Sequence, residues 1–409
     1  MKNFSFLNMI EENNKSTKIF IFVYLFLSIL AAILAFSLVF FHTGNNKNAQ
    51  AKQPTLIVEK EIQIGVILPM SGSLSNWGRT IKDGIDLALE KTQKPFKIHL
   101  QDSGCDPQKA KLAAKQLLEQ EHVKIIIGPA CVTEVAAIAD IVNQQHAIMF
   151  STGLLDNSVF GLTSNIINLS TEISTEVDFI LKHLTLNEKS HIAVVSSANY
   201  FGKEYTRSIK ELAPKYGIDV VLVDETPIDA IDFSSEIKDI RGKKIDALFI
   251  QQSEVGTIEF LKQLKKSPYH FDIYTSSGIE NQSMLEGYQD LLEGVLFTAP
   301  YNVNEGSEEK IALEKSYNRL TDAKRVPSAT TFAVYDGILL LDSALKKCSE
   351  MDVPCIKQEF VNLGKHAGMS GEMLFHPDGS NTRPFGIKQI HNGFFEWKVQ
   401  DITNQNITP

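Results

Sequence analysis

Small hydroxyl-bearing residues follow a short apolar run near residue 62, and they are the residues of this chain best suited to chemistry. Ile62–Leu68 predicts a strand that is buried on both faces and ends at Pro69. The loop after it contains four small residues, namely Ser71, Gly72, Ser73 and Ser75. A helix is expected near residues 78–91, and hydroxyl and backbone N–H groups near a helix N-terminus suit an anionic or carbonyl group. The loop therefore predicts a small-molecule site at the carboxyl end of a parallel strand.

Motifs of catalysis are missing from the sequence. It contains no Walker loop, GxGxxG, HExxH or GxSxG motif, and its histidines lack the spacing of a metal site. Ser71 and Ser73 have no histidine nearby in a pattern of nucleophile and base. We therefore expect a protein that is not an enzyme and that uses neither a cofactor nor a metal ion.

Length and charge narrow the class of protein further. A chain of 409 residues suggests two or three domains, each large enough to bury a core. The net charge of -9 and the lack of a basic cluster with interleaved aromatic residues argue against nucleic acid as a partner.

An uncharged apolar run near the N-terminus, Ile19–Phe41, is long enough to span a bilayer, which takes about 20 residues. A signal-peptide core is usually shorter, so a retained anchor is favoured over a cleaved signal, although Ala49–Ala51 has the small-x-small pattern of a cleavage site. Residues 1–18 would then be a cytoplasmic lead and residues 42–60 a flexible tether. We expect a single pass through the inner membrane, with the main domain in the periplasm or another extracytoplasmic space.

Strands and helices alternate from Ile62 onward, which implies parallel sheets with right-handed crossovers. The first series of strands is predicted at Ile62–Leu68, Phe96–Gln101, Lys124–Gly128 and Ala147–Ser151. A second series, after Thr175, is predicted at His191–Ser196, Asp219–Val223, Ala247–Gln251 and Phe271–Thr275. Near the end, Asn392-Gly393 predicts the turn of a β-hairpin. Two series of this kind imply an α/β protein with two lobes.

Motifs in a fixed order carry a family resemblance over nearly all of residues 62–398. They are the run that begins at Ile62, DSGCDPQKA at Asp102–Ala110, IIIGPAC at Ile125–Cys131, AIMFSTG at Ala147–Gly153, EGVLFTAP at Glu293–Pro300 and AVYDGI at Ala333–Ile338. In this order and spacing they resemble the type I periplasmic solute-binding proteins, in the branched-chain amino acid (Leu/Ile/Val) branch.

The resemblance implies a two-lobed periplasmic-binding-protein type I fold, with a parallel-sheet βα sandwich in each lobe. Lobe 1 would comprise residues 62–174 and 302–371, and lobe 2 residues 175–301 and 372–409. A ligand would lie in the cleft between the lobes, and closure about a hinge would trap it. The implied function is the capture of a small organic solute, either amino-acid-like or an amide or carboxylate, for the permease subunits of an ABC transporter.

The resemblance also implies which residues contact the ligand. In the first lobe they are Ser71, Ser73, Trp77, Ala130, Cys131, Val132, Ser151, Thr152 and Gly153, and in the second Phe201, Ser253, Ser277 and Gly278. Trp77 is equally well interpreted as a hydrophobic residue of the lobe surface.

Three positions depart from the pattern of amino-acid binders. Val132 and Leu155 stand where the family usually has hydroxyl groups. Ser277 stands where the family has the acidic residue that pairs with the ammonium group of an amino acid. Unless Glu254 or Glu280 supplies a carboxylate, a buried ammonium would lack a partner, which costs several kcal/mol. We therefore expect a ligand other than a simple α-amino acid.

Four cysteines are expected to form two disulfides in an extracytoplasmic domain, although buried thiols are the alternative. Cys105 and Cys131 each lie just past a strand of the same sheet, so their loops can meet, and the resemblance also pairs them. Cys348 and Cys355 flank a short loop between two helices, which favours a local bridge.

Two other functions remain open from the sequence. The same fold serves ligand-sensing domains, so the protein could be a sensor that acts through a partner in the cell envelope. It could also be a scaffold that has lost its ligand, because residues that would contact an amino acid are replaced by Val, Leu and Ser.

Overall fold

The structure is a computed structural model that describes residues 23–24, 26–33, 61–72, 74–155, 157–160, 165–280, 282–302, 304–325, 327–348 and 351–400. It divides into two compact units, Met1–Val58 and Glu59–Pro409. In the first unit, residues 23–24 and 26–33 are helical and exposed. Among the described residues, no helix is long and apolar enough to cross a membrane. The expected anchor Ile19–Phe41 extends beyond those residues at both ends, and residues 1–18 and 42–60 lie outside them.

The first sheet of the larger unit has five parallel strands. They are β1 Ile62–Leu68, β2 Phe96–Asp102, β3 Ile125–Ile127, β4 Ile148–Ser151 and β5 Ile166–Asn168. Their order is β2-β1-β3-β4-β5, and every neighbouring pair is parallel. The first four strands confirm the prediction to within two residues at their ends. Strand β5 was not predicted, because a segment of 3 residues is too short to show a period.

Helices connect these strands. They are α1 Ser75–Leu89, α2 Pro107–Lys115, α3 Val132–Gln144 and the short α4 Asn157–Phe160. Helix α2 begins where Asp106 accepts the N–H of Gln108 at 2.7 Å, with Pro107 in its first turn, and it continues into a π-helical turn at Gln116–Gln120.

The second sheet has seven strands. They are β6 His191–Ser197, β7 Asp219–Thr226, β8 Ala247–Gln251, β9 Asp272–Thr275 and β10 Leu296–Pro300, followed much later by β14 Phe385–His391 and β15 Phe394–Gln400. The order is β15-β14-β10-β9-β8-β6-β7, in which β14 is antiparallel to β10 and β15 is antiparallel to β14. The hairpin turn is at Asn392 and Gly393, whose φ angles of 51° and 76° confirm the prediction.

Helices α5 Ile173–Leu186, α6 Tyr200–Leu212, α7 Ser234–Ile240, α8 Glu254–Leu264 and α9 Gln282–Leu292 belong to the second lobe. Helix α5 packs on the second sheet, since Val177, Ile180 and Leu184 share a core with Val194 and Phe249. This helix was not predicted from the sequence.

Later elements return to the first lobe. They are α10 Glu308–Leu320, α11 Ala329–Lys347, α12 Val353–Asn362 and a small sheet of β11 Lys365–Gly368, β12 Gly371–Phe375 and β13 Asn381–Thr382. Met373 and Phe375 of β12 lie in the same core as β1, β3 and β4. The expectation that the second lobe resumes at residue 372 is therefore wrong, because these apolar side chains are buried on the first sheet. The chain rejoins the second sheet at Phe385.

Three segments connect the lobes, after β5, after β10 and before β14. Arg383 in the third segment donates from Nη2 to the carbonyl oxygen of Leu169 in the first, at 2.6 Å. The N–H of Tyr301 in the second segment donates to the carbonyl of Pro384 at 2.8 Å. The three segments are therefore joined to one another by hydrogen bonds.

Candidate ligand-binding site

The loops that follow β1, β2, β3 and β4 form what we call the first-lobe edge. At the end of β2, Asp102 Oδ1 accepts the backbone N–H groups of Met70, Ser71 and Gly104 at 2.9, 3.1 and 3.0 Å. Burial acts to raise the pKa of Asp102, but hydrogen bonds from Ser71 and from these backbone groups outweigh it and lower the pKa. Asp102 thus holds the β1 loop in place and leaves Ser71 exposed on it. Ser73 lies outside the described residues.

Both expected disulfides are present. Cys105–Cys131, with a Cα–Cα distance of 5.7 Å, joins the loop after β2 to the loop after β3. Cys348–Cys355, at 5.8 Å, joins the end of α11 to α12. The first bond therefore forms part of the first-lobe edge, whereas the second lies between helices.

The loops after β3 and β4 are in direct contact. A Cβ placed on Gly153 would overlap the carbonyl oxygen of Ala130, so only glycine allows this approach. The hydroxyl of Ser151 and the N–H of Thr152 both donate to the carbonyl of Pro129 at 3.3 Å. All of these residues are buried, and within the described part of the chain the Thr152 hydroxyl has no hydrogen-bond partner. Ala130, Ser151, Thr152 and Gly153 are thus brought together at one place.

The two residues that replace family hydroxyl groups both pack against a core of the first lobe. Leu155 is fully buried in a core of the first lobe, and its N–H donates to the carbonyl of Thr171 at 3.3 Å. Val132 is half-buried and packs against the same core. Trp77 is also half-buried and packs on the core beneath α1.

The loops after β6, β8 and β9 form the second-lobe edge. Phe201 packs edge-on against Tyr205, with ring centroids 5.0 Å apart. The hydroxyl of Ser253 accepts the N–H of Gly256 at 3.1 Å and so caps α8. Ser277 is half-buried and Gly278 exposed in a short 3₁₀ turn after β9.

Glu280, one of the two residues considered for pairing with an ammonium group, is already paired. Its Oε1 lies 2.5 Å from Nζ of Lys388, and that ammonium lies 4.7 Å from the centroid of the Trp397 ring. The other residue, Glu254, is exposed in the first turn of α8.

Two buried carboxyl groups, one at each edge, were not predicted from the sequence. Glu134 in the first turn of α3 is fully buried, and burial raises its pKa to about 7. Its carboxyl oxygen is near the sulfur atoms of Cys105 and Cys131, but the disulfide leaves no thiolate for a metal ion. Glu176 in the first turn of α5 is fully buried, and burial raises its pKa as well. No clear signal for Glu176 exists in the sequence, because its helix also contains Asp178, Lys182 and His183.

Two parallel-sheet lobes with polar loops at the carboxyl ends of their strands define a two-lobed α/β binding protein. A family model described as a periplasmic binding protein matches residues 61–394. The chain therefore belongs to the periplasmic binding protein family, within the type I members of the branched-chain amino acid branch.

Relatives agree with this assignment. The Leu/Ile/Val-binding protein of Citrobacter freundii is 21% identical over 83% of this chain and 91% of its own length. The fold is similar to that of a branched-chain amino acid transporter's substrate-binding protein from Streptococcus pneumoniae in complex with isoleucine, at a TM-score of 0.74, 18% identity and coverage of 84% and 100% of the two chains. A solute-binding protein of Rhodopseudomonas palustris HaA2 in complex with p-hydroxybenzoic acid gives a TM-score of 0.75, 19% identity and coverage of 84% and 96%.

Proposed function

We propose that this protein captures a small organic solute in the cleft between its lobes and presents it to an ABC transporter. The observation that carries the proposal is the construction of the first-lobe edge. Asp102, the Cys105–Cys131 bond and the contact of Gly153 with Ala130 join four successive loops into one preorganised surface. Such preorganisation lowers the cost of holding a ligand.

The proposed ligand carries an acceptor oxygen, as a carboxylate or an amide does. Isoleucine and p-hydroxybenzoic acid, the ligands of the two similar structures, share a carboxyl group. The buried hydroxyl of Thr152, which has no partner among the described residues, is suited to such an oxygen. With Ser277 in place of an acid and Glu280 paired to Lys388, a simple α-amino acid is disfavoured.

The contact residues of the proposed site are those named from the sequence. They are Ser71, Ser73, Trp77, Ala130, Cys131, Val132, Ser151, Thr152, Gly153, Phe201, Ser253, Ser277 and Gly278. The same proposal keeps Ile19–Phe41 as a membrane anchor and the main domain outside the cytoplasm, where the two disulfides are stable. An anchored binding protein would stay close to the permease subunits.

A scaffold or sensor of the cell envelope is the second candidate. Burial of Leu155 and the internal use of its N–H favour it, since this loop then offers less to a ligand. A scaffold would bind no small solute in the cleft, whereas a sensor would bind one, and either would require a protein partner.

A thermal-shift screen of the full chain separates a protein that binds a small solute from a scaffold that binds none. The panel would contain amino acids, amides, short-chain carboxylates and benzoates. A ligand present at 100 times its dissociation constant stabilises the fold by about 2.7 kcal/mol, which raises the melting temperature measurably. A raised melting temperature supports capture, whereas a well-folded chain that responds to nothing supports the scaffold.

A further inference from the structure

Glu176 lies where the two edges approach each other. The start of α5 is tied to the first-lobe edge, because the N–H of Ile173 donates to the carbonyl of Leu155 at 3.2 Å. One turn later, Glu176 Oε1 accepts the N–H of Ser277 at 3.3 Å, in the loop after β9 of the second lobe. Ser277 holds the position where the resemblance expects an acidic residue. A carboxyl group is therefore present at this position, but another element supplies it.

The hydrogen bonds of Glu176 are unevenly divided between its oxygens. Oε1 accepts from both the Ser277 N–H and the Thr298 hydroxyl. Oε2 is buried and, among the described residues, has no hydrogen-bond partner. The buried hydroxyl of Tyr205 lies beside the Glu176 carboxyl group and interacts with it, but among the described residues this hydroxyl forms no hydrogen bond of good geometry. Glu176 Oε2 and the Tyr205 hydroxyl thus lie together at one buried place, and both can still form a hydrogen bond with a further polar group.

Glu176 is best described as a neutral carboxylic acid. No ion pair between described residues includes it, and an unpaired buried carboxylate would cost several kcal/mol. Burial raises its pKa in agreement. In the neutral form, Oε1 is the carbonyl oxygen that accepts two hydrogen bonds, and Oε2 carries the proton as a donor.

We propose that Glu176 is a specificity-determining residue whose Oε2–H donates a hydrogen bond to an oxygen of the captured solute, with the Tyr205 hydroxyl beside it. The inference rests on the proposed function and narrows its ligand to a carboxylate or carboxamide. It excludes a ligand that is recognised through a primary ammonium group, because that group needs an ionised partner.

Glutamine at position 176 distinguishes a neutral acid that donates a hydrogen bond from an ionised carboxylate that pairs with an ammonium group. Its amide oxygen can still accept from Ser277 and Thr298, and its NH₂ group donates where Oε2–H does, so Glu176→Gln copies the neutral acid. Glu176→Leu keeps the approximate size and removes the donor. Asp178→Asn on the same helix is the control, since Asp178 pairs with exposed Lys215 at 2.9 Å and also interacts with Tyr216.

The experiment is calorimetric titration of the full chain and these variants with 3-methylbutanoate, 3-methylbutanamide and 3-methylbutylamine, and with benzoate, benzamide and benzylamine. We expect the carboxylate or amide of a series to bind about tenfold or more tightly than the amine. Glu176→Gln should keep that order with affinity within about threefold, and Glu176→Leu should lose about tenfold or more. Melting temperatures of the variants show whether each is folded.

Three results would overturn the inference. One is preferential binding of an amine that Glu176→Gln abolishes, which would make Glu176 an ionised partner. Another is unchanged affinity in folded Glu176→Leu, which would make the residue structural. Either of these two results would leave the proposed capture function intact. Failure of the wild-type chain to bind any solute of the panel and of the thermal-shift screen would reject the proposed function itself and the inference with it. If Glu176→Leu does not fold, the affinities of Glu176→Gln still show whether Glu176 acts as a neutral donor or as an ionised partner.

Discussion

The guanidinium group of Arg383 donates a hydrogen bond of 2.6 Å to the carbonyl oxygen of Leu169, across two of the segments that connect the lobes. Its other terminal nitrogen donates to the hydroxyl of Ser370 at 2.8 Å, and that hydroxyl in turn donates to Asp336 at 2.6 Å. Arg383 is 3% exposed, so these bonds are shielded from water. The connection between the lobes is therefore a buried polar network.

Arg383→Met should destabilise the protein by about 2–4 kcal/mol, because it leaves the Leu169 carbonyl and Ser370 without a buried donor. Urea denaturation of the full chain measures this loss. The matched control is Arg207→Met, since Arg207 forms exposed helical ion pairs with Glu204 and Glu211 and should cost less than about 1 kcal/mol. Equal effects of the two substitutions would contradict the importance of the network.

The two disulfides should differ in their contribution to stability. In the chain-entropy account, closing the 26-residue separation of Cys105–Cys131 stabilises by about 3.5 kcal/mol, whereas the 7-residue separation of Cys348–Cys355 gives about 2.4 kcal/mol. Replacement of each pair by serine, followed by urea denaturation, compares them. Only loss of the first pair should also weaken ligand binding, because it joins two loops of the first-lobe edge. A larger loss of stability or of binding from the second pair would contradict this account.

Glu134 should make stability decrease with rising pH. Its folded-state pKa of about 7 is above the unfolded value of about 4.5, so the native state holds the proton more tightly. The stabilisation is complete below the unfolded pKa and is lost as pH rises through the folded pKa, a change of about 3 kcal/mol at most. Glu134→Gln cannot ionise, so its stability relative to wild type should rise between about pH 5 and pH 8. Denaturation at several pH values measures this, and parallel curves would refute it; exposed Glu211→Gln is the control.

Thr152→Val tests the first-lobe edge. The hydroxyl of Thr152 is buried without a partner in the described part of the chain, so its removal should leave stability unchanged or slightly raised. If the hydroxyl meets the ligand, affinity should fall by about tenfold in a calorimetric titration. Thr185→Val on α5 is the matched control, because that hydroxyl donates to the carbonyl of Leu181 at 3.1 Å and lies in another part of the fold. A variant that keeps full affinity would remove Thr152 from the site.

Much of the fold was predictable because its signals are local. The apolar run at Ile62–Leu68 ends at a proline, and Asn392-Gly393 takes the positive φ angles of a hairpin turn. Features that depend on distant packing were not predictable. Strand β5 is short, and Met373 and Phe375 belong to the first lobe through packing against residues that are distant in the chain.

The site was predicted only in part, because motifs are local signals whereas contacts between distant residues are not visible in the sequence. Motif order named the loops that form the two edges, but pattern cannot tell an available hydroxyl from one already engaged. Ser253 caps a helix, Glu280 pairs with Lys388, and Leu155 is in the core. Glu176 was not predictable from the sequence, because its importance arises from contacts with Ser277 and Thr298, which are far away in the chain.

Isothermal titration calorimetry of the full chain with short-chain carboxylates, amides, benzoates and amino acids tests the central claim most directly. Capture in a cleft between two lobes predicts saturable binding of one solute per chain, with carboxylates or amides bound more tightly than leucine or valine. Tight binding of leucine or valine would contradict the assignment of ligand class. A folded chain that binds none of these solutes would contradict capture itself.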